Sequence, residues 1–352
     1  MVKLAAWVLG LSLGLTCGCG EGSGAAGGSC SPVPTAGPFL QGSVHETGVS
    51  TDVALLGPGF LVLDGGAFVA LYTRDGRLTV DDRGVLVHVG GPAVKAFPAG
   101  DAGRDPRTLT LPVMDPPAAT TVVGWALNLN SDAAIQRWDA TDPEGTSSFT
   151  STVSVYDALG VEHKLQVFFA KVALGAWEWH GMLDGSELAG GTDGTRQVVA
   201  DGGLTFNTDG TLQAQTRGNA QLRPRGVAGA QDVRFHFGDD RASGGTGLAG
   251  ASQFASASSA TWIGQDGTAT GYPSRIDVER LGEVVVSFTN GRARGIGRLA
   301  LAAFARPEQL TPVATGVYAA ATACTGAPSW APAEGIGTTF VGGALEAPFG
   351  QP

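Results

Sequence analysis

The stretch that decides the fold is QGSVHETGVSTDVALLGPGFL, residues 41–61. Val53 and Leu55 alternate with smaller residues and lead into a Gly-Pro-Gly segment at 57–59. Alternation with a period of two indicates a strand, and clustered glycine and proline indicate a tight turn. No pattern of catalytic residues interrupts the stretch. It therefore predicts a scaffold of strands and turns.

The composition of the whole chain favours a folded, strand-rich protein. Its 352 residues include 55 glycines, and only 15% of residues are charged against 43% hydrophobic. Disordered chains are poor in apolar residues and rich in charge, so disorder is excluded as the general state. The length leaves room for two or more domains. A net charge of −10 argues against a nucleic-acid partner, because no basic patch is present to neutralise phosphates.

The first 38 residues have the pattern of an export signal and a linker. A positive start and the apolar run Leu4–Leu15, which is too short to span a bilayer, indicate a signal peptide over residues 1–19. The following segment resembles a bacterial lipoprotein signal, with Cys19 as the expected lipidation site and Cys17 as the alternative. An ordinary secretory signal with incidental cysteines is the competing interpretation. Residues 20–38 are rich in Gly, Ala, Ser and Pro, which predicts a flexible tether.

The cysteine count allows one disulfide bond. If Cys19 is acylated and Cys17 leaves with the signal, Cys30 and Cys324 remain as a pair. An even pair in an oxidising compartment readily forms a disulfide, although two free thiols are the alternative. The bond would close a loop of about 300 residues and stabilise the fold by roughly 4–5 kcal/mol on a chain-entropy model. No Cys-x-x-Cys occurs, so a dithiol redox site and a zinc cluster have no support.

Short strands and sharp turns follow from Phe39 onward. Residues 71–89 contain three apolar runs separated by charged turns, which predicts a β meander. Thr152–Tyr156 and Leu165–Phe169 both alternate around a turn, which predicts a hairpin, and Gly203–Leu212 predicts another.

Several segments, in order along the chain, resemble the flagellar hook protein and its rod relatives. They are Gln41-Gly42, Thr47-Gly48, Asp52-Val53-Ala54-Leu55, Gly57-Pro58-Gly59-Phe60, Tyr156-Asp157 with Gly160 and His163, Gln265-Asp266-Gly267, Asn290-Gly291, and Gly343-Ala344-Leu345-Glu346-Ala347. The resemblance extends from about Phe39 to Ala347. It implies that these motif residues serve structure and not catalysis.

Strand pattern and resemblance together predict an all-β fold with two domains of short antiparallel strands, the outer domain inserted into the inner one. We expect the inner domain to comprise residues 39–124 and 264–347. The outer domain is expected to comprise residues 125–263, and residues 348–352 form a tail.

The hook family also carries a long amphipathic helix before this body and another after it. Neither pattern is visible in this sequence, where a signal and tether come first and Pro348 disfavours a helix at the other end. We therefore do not expect a hook tube built in the usual way. The pair Cys30 and Cys324 is a candidate replacement for the lost clamp between the termini.

The residues that most often carry chemistry are scattered. The histidines are His45, His88, His163, His180 and His236. None has metal-ligand spacing, and His163 is expected on a strand surface. The glycines at 245, 247 and 250 lack a preceding strand and following helix, so they indicate a loop. The cluster Asp139, Asp142 and Glu144 is interpreted as a solvated turn, with weak calcium binding as the alternative. Tryptophans are most simply core residues, although a surface pair could mark a binding face.

We therefore predict a structural protein with no catalytic residues, cofactor or metal, part of or derived from the flagellar hook and basal body. Expected partners are proteins, either further copies or other envelope or flagellar proteins, and the membrane through a lipid anchor. The alternative is a non-flagellar envelope lipoprotein that uses the fold as a protein- or glycan-binding module. The expected location is outside the cytoplasm, in the outer membrane or envelope through a lipid anchor, or at the flagellar basal body.

Overall fold

The computed structural model describes residues 39–66, 70–100, 105–320 and 329–347. The predicted signal, the tether, the tail and all four cysteines, with the lipidation site and disulfide assigned to them, lie outside the described residues. Within the described ranges, no helix has the length and apolar character needed to cross a membrane.

The regular secondary structure of the described chain is almost entirely β-strand. In chain order the strands are β1 (Val44–Glu46), β2 (Val53–Leu56), β3 (Phe60–Asp64), β4 (Ala70–Thr73), β5 (Leu78–Val80), β6 (Leu86–His88), β7 (Lys95–Pro98), β8 (Arg107–Thr108), β9 (Val122–Asn130), β10 (Phe149–Tyr156), β11 (Glu162–Ala173), β12 (Ala176–Asp184), β13 (Arg196–Phe206), β14 (Leu212–Leu222), β15 (Gln231–Asp232), β16 (Arg234–His236), β17 (Ala251–Phe254), β18 (Ser259–Gln265), β19 (Pro273–Val278), β20 (Glu283–Phe288), β21 (Ala293–Leu299), β22 (Leu301–Ala303), β23 (Thr311–Ala314), β24 (Val317–Ala319), β25 (Ser329–Ala331), β26 (Thr339–Gly342) and β27 (Ala344–Glu346). Described helices are single turns at Gly185–Glu187, Pro307–Gln309 and Ala333–Ile336. The all-β prediction is confirmed.

The chain divides into two compact units. Unit 1 takes residues 1–113 and 273–352, and unit 2 takes the continuous segment 114–272. The boundaries expected at 124/125 and 263/264 differ from these, because each would cut through a strand. β9 and β18 pair with each other as whole strands inside unit 2, so the chain changes unit before β9 and after β18.

Unit 1 is built from two larger sheets and three strand pairs. One sheet has the order β19-β20-β21-β7-β8, the other β23-β24-β4-β3-β22-β25, and the pairs are β1-β27, β2-β26 and β5-β6. The core between them is aliphatic, with Val53, Leu55, Leu61, Leu63 and Val284 all inaccessible to solvent. The first and last described strands, β1 and β27, pair with each other in this unit.

Unit 2 combines the six-stranded sheet β10-β11-β12-β13-β14-β15 with a second sheet around β9, which pairs with β16, β17 and β18. The predicted hairpins are β10–β11 and β13–β14. Trp125, Trp177 and Trp179 are buried in the core, as expected for packing residues. Trp262 is 58% exposed and lies on the outer side of β18.

The predicted meander over residues 71–89 is wrong in one respect. β5 and β6 form a hairpin, but β4 pairs with β3 and β24 in a different sheet. The turn after β4 does not bring β5 alongside β4, because Gly76 packs against the start of β2. There the Val53 amide donates to the Gly76 carbonyl at 3.0 Å, and a Cβ on Gly76 would lie 1.7 Å from the Val53 oxygen.

Candidate functional site

The first and last described segments of unit 1 meet at a cluster of Gln41, Arg74 and Glu346, which we call the terminal clasp. The Arg74 guanidinium donates to Glu346 Oε2 from Nε at 3.0 Å and from Nη2 at 2.7 Å. Nη1 donates to the carbonyls of Gly57 and Gly59 at 2.8 and 2.9 Å. The two charged side chains are only 12% and 7% exposed. The pair is thus shielded from water, and most of its hydrogen-bonding capacity is filled.

Gln41 completes the terminal clasp with a side-chain amide that bonds in three directions. Its Nε2 donates to the Leu55 carbonyl and to Glu346 Oε1, both at 2.9 Å, and its Oε1 accepts from the Gly57 amide at 3.0 Å. The Gly42 amide also donates to Glu346 Oε1 at 2.9 Å. The Glu346 carboxylate on β27 therefore holds Gln41, Gly42 and Arg74, and Gln41 and Arg74 in turn bond Gly57 in the turn after β2.

Glycine is needed at the terminal clasp because backbones approach closely. A Cβ on Gly42 would lie 1.7 Å from the Ala347 carbonyl oxygen. Gly57 has a φ of +128°, and a Cβ there would lie 2.8 Å from the Gly337 oxygen. The Gly59 amide donates to the buried Thr338 hydroxyl at 2.9 Å. The Gly-x-Gly motif is therefore explained by backbone contact with the segment before β26.

Neighbouring motif residues add further bonds between the first and last described segments of unit 1. The Thr47 amide donates to the Gly343 carbonyl, and the Gly343 amide donates to the Asp52 carbonyl, both at 2.8 Å. Phe60 is 1% exposed, and the Arg74 guanidinium carbon lies 5.9 Å from its ring centroid. Leu345 pairs with His45 in the β1–β27 ladder. Gly48 differs, because its φ of +72° marks a turn with open space around it.

Asp75, next to Arg74, is a strongly perturbed carboxyl. Burial favours its neutral form, but contacts with His88 and Arg77 outweigh burial and hold its pKa far below the ordinary value of 3.8. His88 is 2% exposed with Nε2 3.3 Å from Asp75 Oδ2, and Arg77 Nη2 lies 2.5 Å from the same oxygen. Asp75 therefore remains ionised and ties the turn after β4 to β6.

A second cluster joins the segments where the chain enters and leaves unit 2; we call Thr120, Thr121, Gln265 and Asp266 the crossover clasp. Asp266 accepts from the Thr121 amide at 2.8 Å and hydroxyl at 2.5 Å, and from the Val122 amide at 2.9 Å. Burial raises the pKa of Asp266, but these hydrogen bonds outweigh burial and lower it. The Thr120 hydroxyl donates to Gln265 Oε1 at 3.0 Å.

The Tyr156, Asp157, Gly160 and His163 motif forms the turn between β10 and β11. Asp157 Oδ1 accepts from the amides of Leu159 and Val161, at 2.8 and 2.9 Å. Gly160 has a φ of +81°, and a Cβ there would lie 2.7 Å from the Pro117 side chain.

The expectation that His163 lies on a strand surface is wrong. Its side chain is buried, with Nδ1 2.6 Å from Glu187 Oε2 and Nε2 3.3 Å from Asp157 Oδ2. The two carboxylates supply the polar partners that make this burial possible.

The remaining motif and candidate residues form local turns. Asn290 Oδ1 accepts from the Arg292 amide at 3.1 Å, and Gly291 has a φ of +81° in the turn between β20 and β21. Asp139 and Asp142 accept hydrogen bonds from the backbone of their own loop, and Glu144 pairs with Arg196. In the part of the chain that the structure describes, no group of three His, Cys, Asp or Glu side chains could hold a metal ion.

The structure brings most of the motif residues of unit 1 together at the terminal clasp, and Tyr156 and Gln265 together at Thr120. The sequence did not point to Arg74, which lies in one of the charged turns between the apolar runs of residues 71–89, or to Thr338. The single arginine between an apolar strand and an Asp-Gly turn was the available signal, but its partner Glu346 is 272 residues away. Nothing in the local sequence indicates that pairing.

Comparisons with known proteins agree with the motif analysis. Residues 128–268, all within unit 2, match the family described as flagellar basal body protein FlaE D2 domain. The flagellar hook protein FlgE of Treponema pallidum is 29% identical over 315 residues, covering 79% of this chain and 67% of the relative. FlgE of Salmonella typhimurium is 26% identical over 318 residues, covering 88% of this chain and 75% of the relative.

One solved structure supports the fold. The crystal structure of Helicobacter pylori flagellar hook protein FlgE2 superposes with a TM-score of 0.52 at 12% identity, covering 86% of this chain and 100% of that chain. At that identity the likeness concerns the fold alone. The matches to sequence relatives extend across both units, whereas the family match is confined to one.

Proposed function

Because the chain is a flagellar hook family protein, we propose that it is a structural subunit of the flagellar hook that acts by shape and association and not by catalysis. The observation that carries this proposal is the terminal clasp. Gln41, Gly42, Gly57 and Glu346 come from motifs recognised separately along the chain, yet they bond to one another directly and through Arg74. Structural contacts among these motif residues support a protein that acts through shape and association.

The proposed partners are proteins, namely further copies of the chain or other flagellar components, and the proposed location is the exported flagellar structure or its basal body. The alternative of a non-flagellar envelope module with a protein or glycan ligand finds no support in the comparisons. The two assignments place the protein at different positions on the cell, which makes them separable by microscopy.

Immunogold electron microscopy of whole cells and sheared filaments from the native host tests the proposal. Label concentrated on hooks or basal bodies is the expected result. Label spread over the envelope, or a host without flagella, would contradict a role in the hook and would favour the envelope alternative.

We further propose, from the signal-like sequence, that Cys19 carries a lipid and becomes the first residue when the signal is removed, and that the protein is thereby tethered to a membrane. The expected result is an acylated amino-terminal peptide by mass spectrometry, and release of the Cys19→Ser variant from the membrane fraction. Cys17→Ser is the matched control and should remain bound. If Cys17→Ser is released and Cys19→Ser is retained, the assignment moves to Cys17; an unmodified peptide contradicts lipidation altogether.

We also propose a disulfide between Cys30 and Cys324, because these two cysteines remain as a pair once Cys17 leaves with the signal and Cys19 carries a lipid. Alkylation without prior reduction should leave both thiols unlabelled, and reduction should expose both together. Labelling of both thiols before reduction would contradict the bond.

A further inference from the structure

A groove opens in unit 1 beside the edge strand β25. Its volume is about 560 Å³, and every residue that lines it belongs to unit 1. The side chains that shape it are two aromatic residues, two prolines and two charged residues, namely Phe97, Trp330, Pro98, Pro332, Glu283 and Arg298. Trp330 is 40% exposed, and Arg298 is already paired with Glu334 at 3.2 Å. The groove therefore presents mainly aromatic and proline side chains.

The groove adjoins the aromatic cluster against which the start of the described chain packs. Phe97 belongs both to the groove and to this cluster, which also contains Phe60. The ring of Phe39 meets that of Phe60 edge-on, with 5.0 Å between their centroids. Trp330 pairs with Ala302, which pairs with Phe60 on the next strand. Because neighbouring strands lie about 4.8 Å apart, Trp330 is about 10 Å from the residue on which Phe39 packs.

The sequence just before Phe39 is PVPTAGP, residues 32–38, at the end of the predicted tether. Proline fixes its own φ near −65° and disfavours a helical residue before it, so this sequence favours the extended polyproline conformation. That conformation spans about 3.1 Å per residue, so the segment can reach about 22 Å, twice the distance to Trp330. Proline-rich segments bind grooves lined by aromatic residues, because such segments lose little conformational freedom on binding.

We propose that residues 32–38 of the chain dock in the groove beside Trp330, so that the tether leaves unit 1 at β25 and not at Phe39. The inference goes beyond the proposed structural role, and it rests on residues 20–38 remaining in the exported chain. The segment carries no charge, which suits a groove whose arginine already has a carboxylate partner. Docking sets the point at which a lipid-anchored chain is held, and therefore which side of unit 1 faces the membrane.

The proposed disulfide favours this segment over a separate protein as the occupant of the groove. Cys30 precedes Pro32 by two residues, and Cys324 precedes Trp330 by six. A bond between the two cysteines ties the proline segment to the part of the chain that leads into β25. It thereby raises the effective concentration of the segment at the groove, whereas a separate protein has to bind from dilute solution.

Fluorine NMR of the exported chain, labelled with fluorotryptophan, tests the docking. Trp330→Phe identifies the resonance of Trp330, and Trp262→Phe identifies that of Trp262, which is 58% exposed in unit 2. A water-soluble gadolinium chelate broadens the resonances of accessible rings, and we expect it to broaden Trp330 much less than Trp262. In the double variant Pro32→Glu and Pro34→Glu, broadening of Trp330 should rise by about twofold or more, because a carboxylate without a partner is unfavourable in the groove. Broadening of Trp262 should not change.

The double variant Ser23→Glu and Ala25→Glu is the matched control. It adds the same charges at the same spacing to the tether, outside residues 32–38. Broadening of Trp330 should therefore remain as in the wild type.

Three results would overturn the inference: a proline double variant in which Trp330 broadens as in the wild type, an equal rise in the control, or shielding of Trp330 that appears only at high concentration or with an added protein. The last result would assign the groove to a second copy or to a different partner. Failure here is distinct from failure of the proposed function, because an accessible Trp330 in a protein that still labels hooks refutes the docking and leaves the structural role intact. Free thiols at Cys30 and Cys324 together with a shielded Trp330 would refute the disulfide and support the docking.

Discussion

Glu346→Gln tests the terminal clasp with the smallest possible change. The substitution keeps the size of the side chain but removes its charge, next to an Arg74 nitrogen at 2.7 Å. It also removes one of two acceptors, because both carboxylate oxygens accept hydrogen bonds and an amide nitrogen cannot. Arg74 keeps its bonds to the Gly57 and Gly59 carbonyls at 2.8 and 2.9 Å. Its charge, however, remains in a site where the side chain is only 12% exposed and no longer has a counter-ion.

The expected loss follows from that burial. Removing one partner of a buried ion pair costs about 3–5 kcal/mol, and the retained carbonyl bonds place this variant near the lower end, about 3 kcal/mol. For a protein of this size class each kcal/mol lowers the melting temperature by about 2–4 °C, so a fall of roughly 6–12 °C is expected. The loss should persist at about 1 M salt, because a buried pair is poorly screened.

Calorimetry gives the melting temperature, and hydrogen exchange locates the loss. Protection should fall in β1 and β27 of unit 1 and stay unchanged in β11 of unit 2. The matched control is Arg83→Gln, because Arg83 is 82% exposed and pairs with Asp81 at 2.8 Å. Exposed pairs contribute at most about 1 kcal/mol. A loss in Glu346→Gln no larger than in this control, or one that disappears at high salt, would refute the role assigned to the clasp.

Three further substitutions separate the other parts of the scaffold. Asp75→Asn should weaken the fall in the free energy of unfolding of unit 1 at acid pH, measured by acid titration. The folded-state pKa of Asp75 lies below 3.8, so its stabilisation is present above that pH and is lost as pH falls through lower values. Asp266→Ala should destabilise unit 2 by about 1–3 kcal/mol and leave unit 1 unchanged in hydrogen exchange, because it removes the acceptor for two backbone amides and a hydroxyl; equal loss in both units would contradict this. Gly42→Ala should cost more in thermal denaturation than Gly48→Ala, since a Cβ on Gly42 meets the Ala347 oxygen at 1.7 Å whereas Gly48 has open space and only backbone strain of about 1–2 kcal/mol; the reverse order would contradict the contact.

The strands were predictable wherever a local period of two coincided with a turn. Thr152–Tyr156 and Leu165–Phe169 alternate about Asp157–Gly160, and the structure has β10 and β11 there with unbroken register. The prediction of a meander is wrong at Gly76. It assumed that the strands on either side of this turn pair with each other, whereas the turn itself bonds to Val53 at the start of β2. Local patterns specify strands, but partners of strands depend on segments far away in sequence.

The clasps were predictable only as motifs. Gln41, Gly57 and Glu346 could be recognised by resemblance, but their meeting point could not, because Arg74 and Glu346 carry no shared local pattern. The burial of His163 was hidden for the same reason: one of its two carboxylates, Glu187, comes from a helical turn 24 residues onward. Long-range polar contacts leave almost no periodic signal in a single sequence.

The two clasps give the units different requirements for folding. Unit 2 is one continuous segment, so every partner in its crossover clasp is present once residue 272 is available. Unit 1 has to bring Gln41 to Glu346 across 305 residues, and its first strand pairs with its last. Closing so long a loop adds only a modest entropic cost, because that cost grows with the logarithm of length. Folding of unit 1 is limited instead by when its segments become available. β1 has no strand partner among the described strands until β27 is present, so unit 1 is completed last. For a chain proposed to be exported before it assembles, this order leaves the terminal clasp open until Glu346 on β27 is available to bond Gln41 and Arg74.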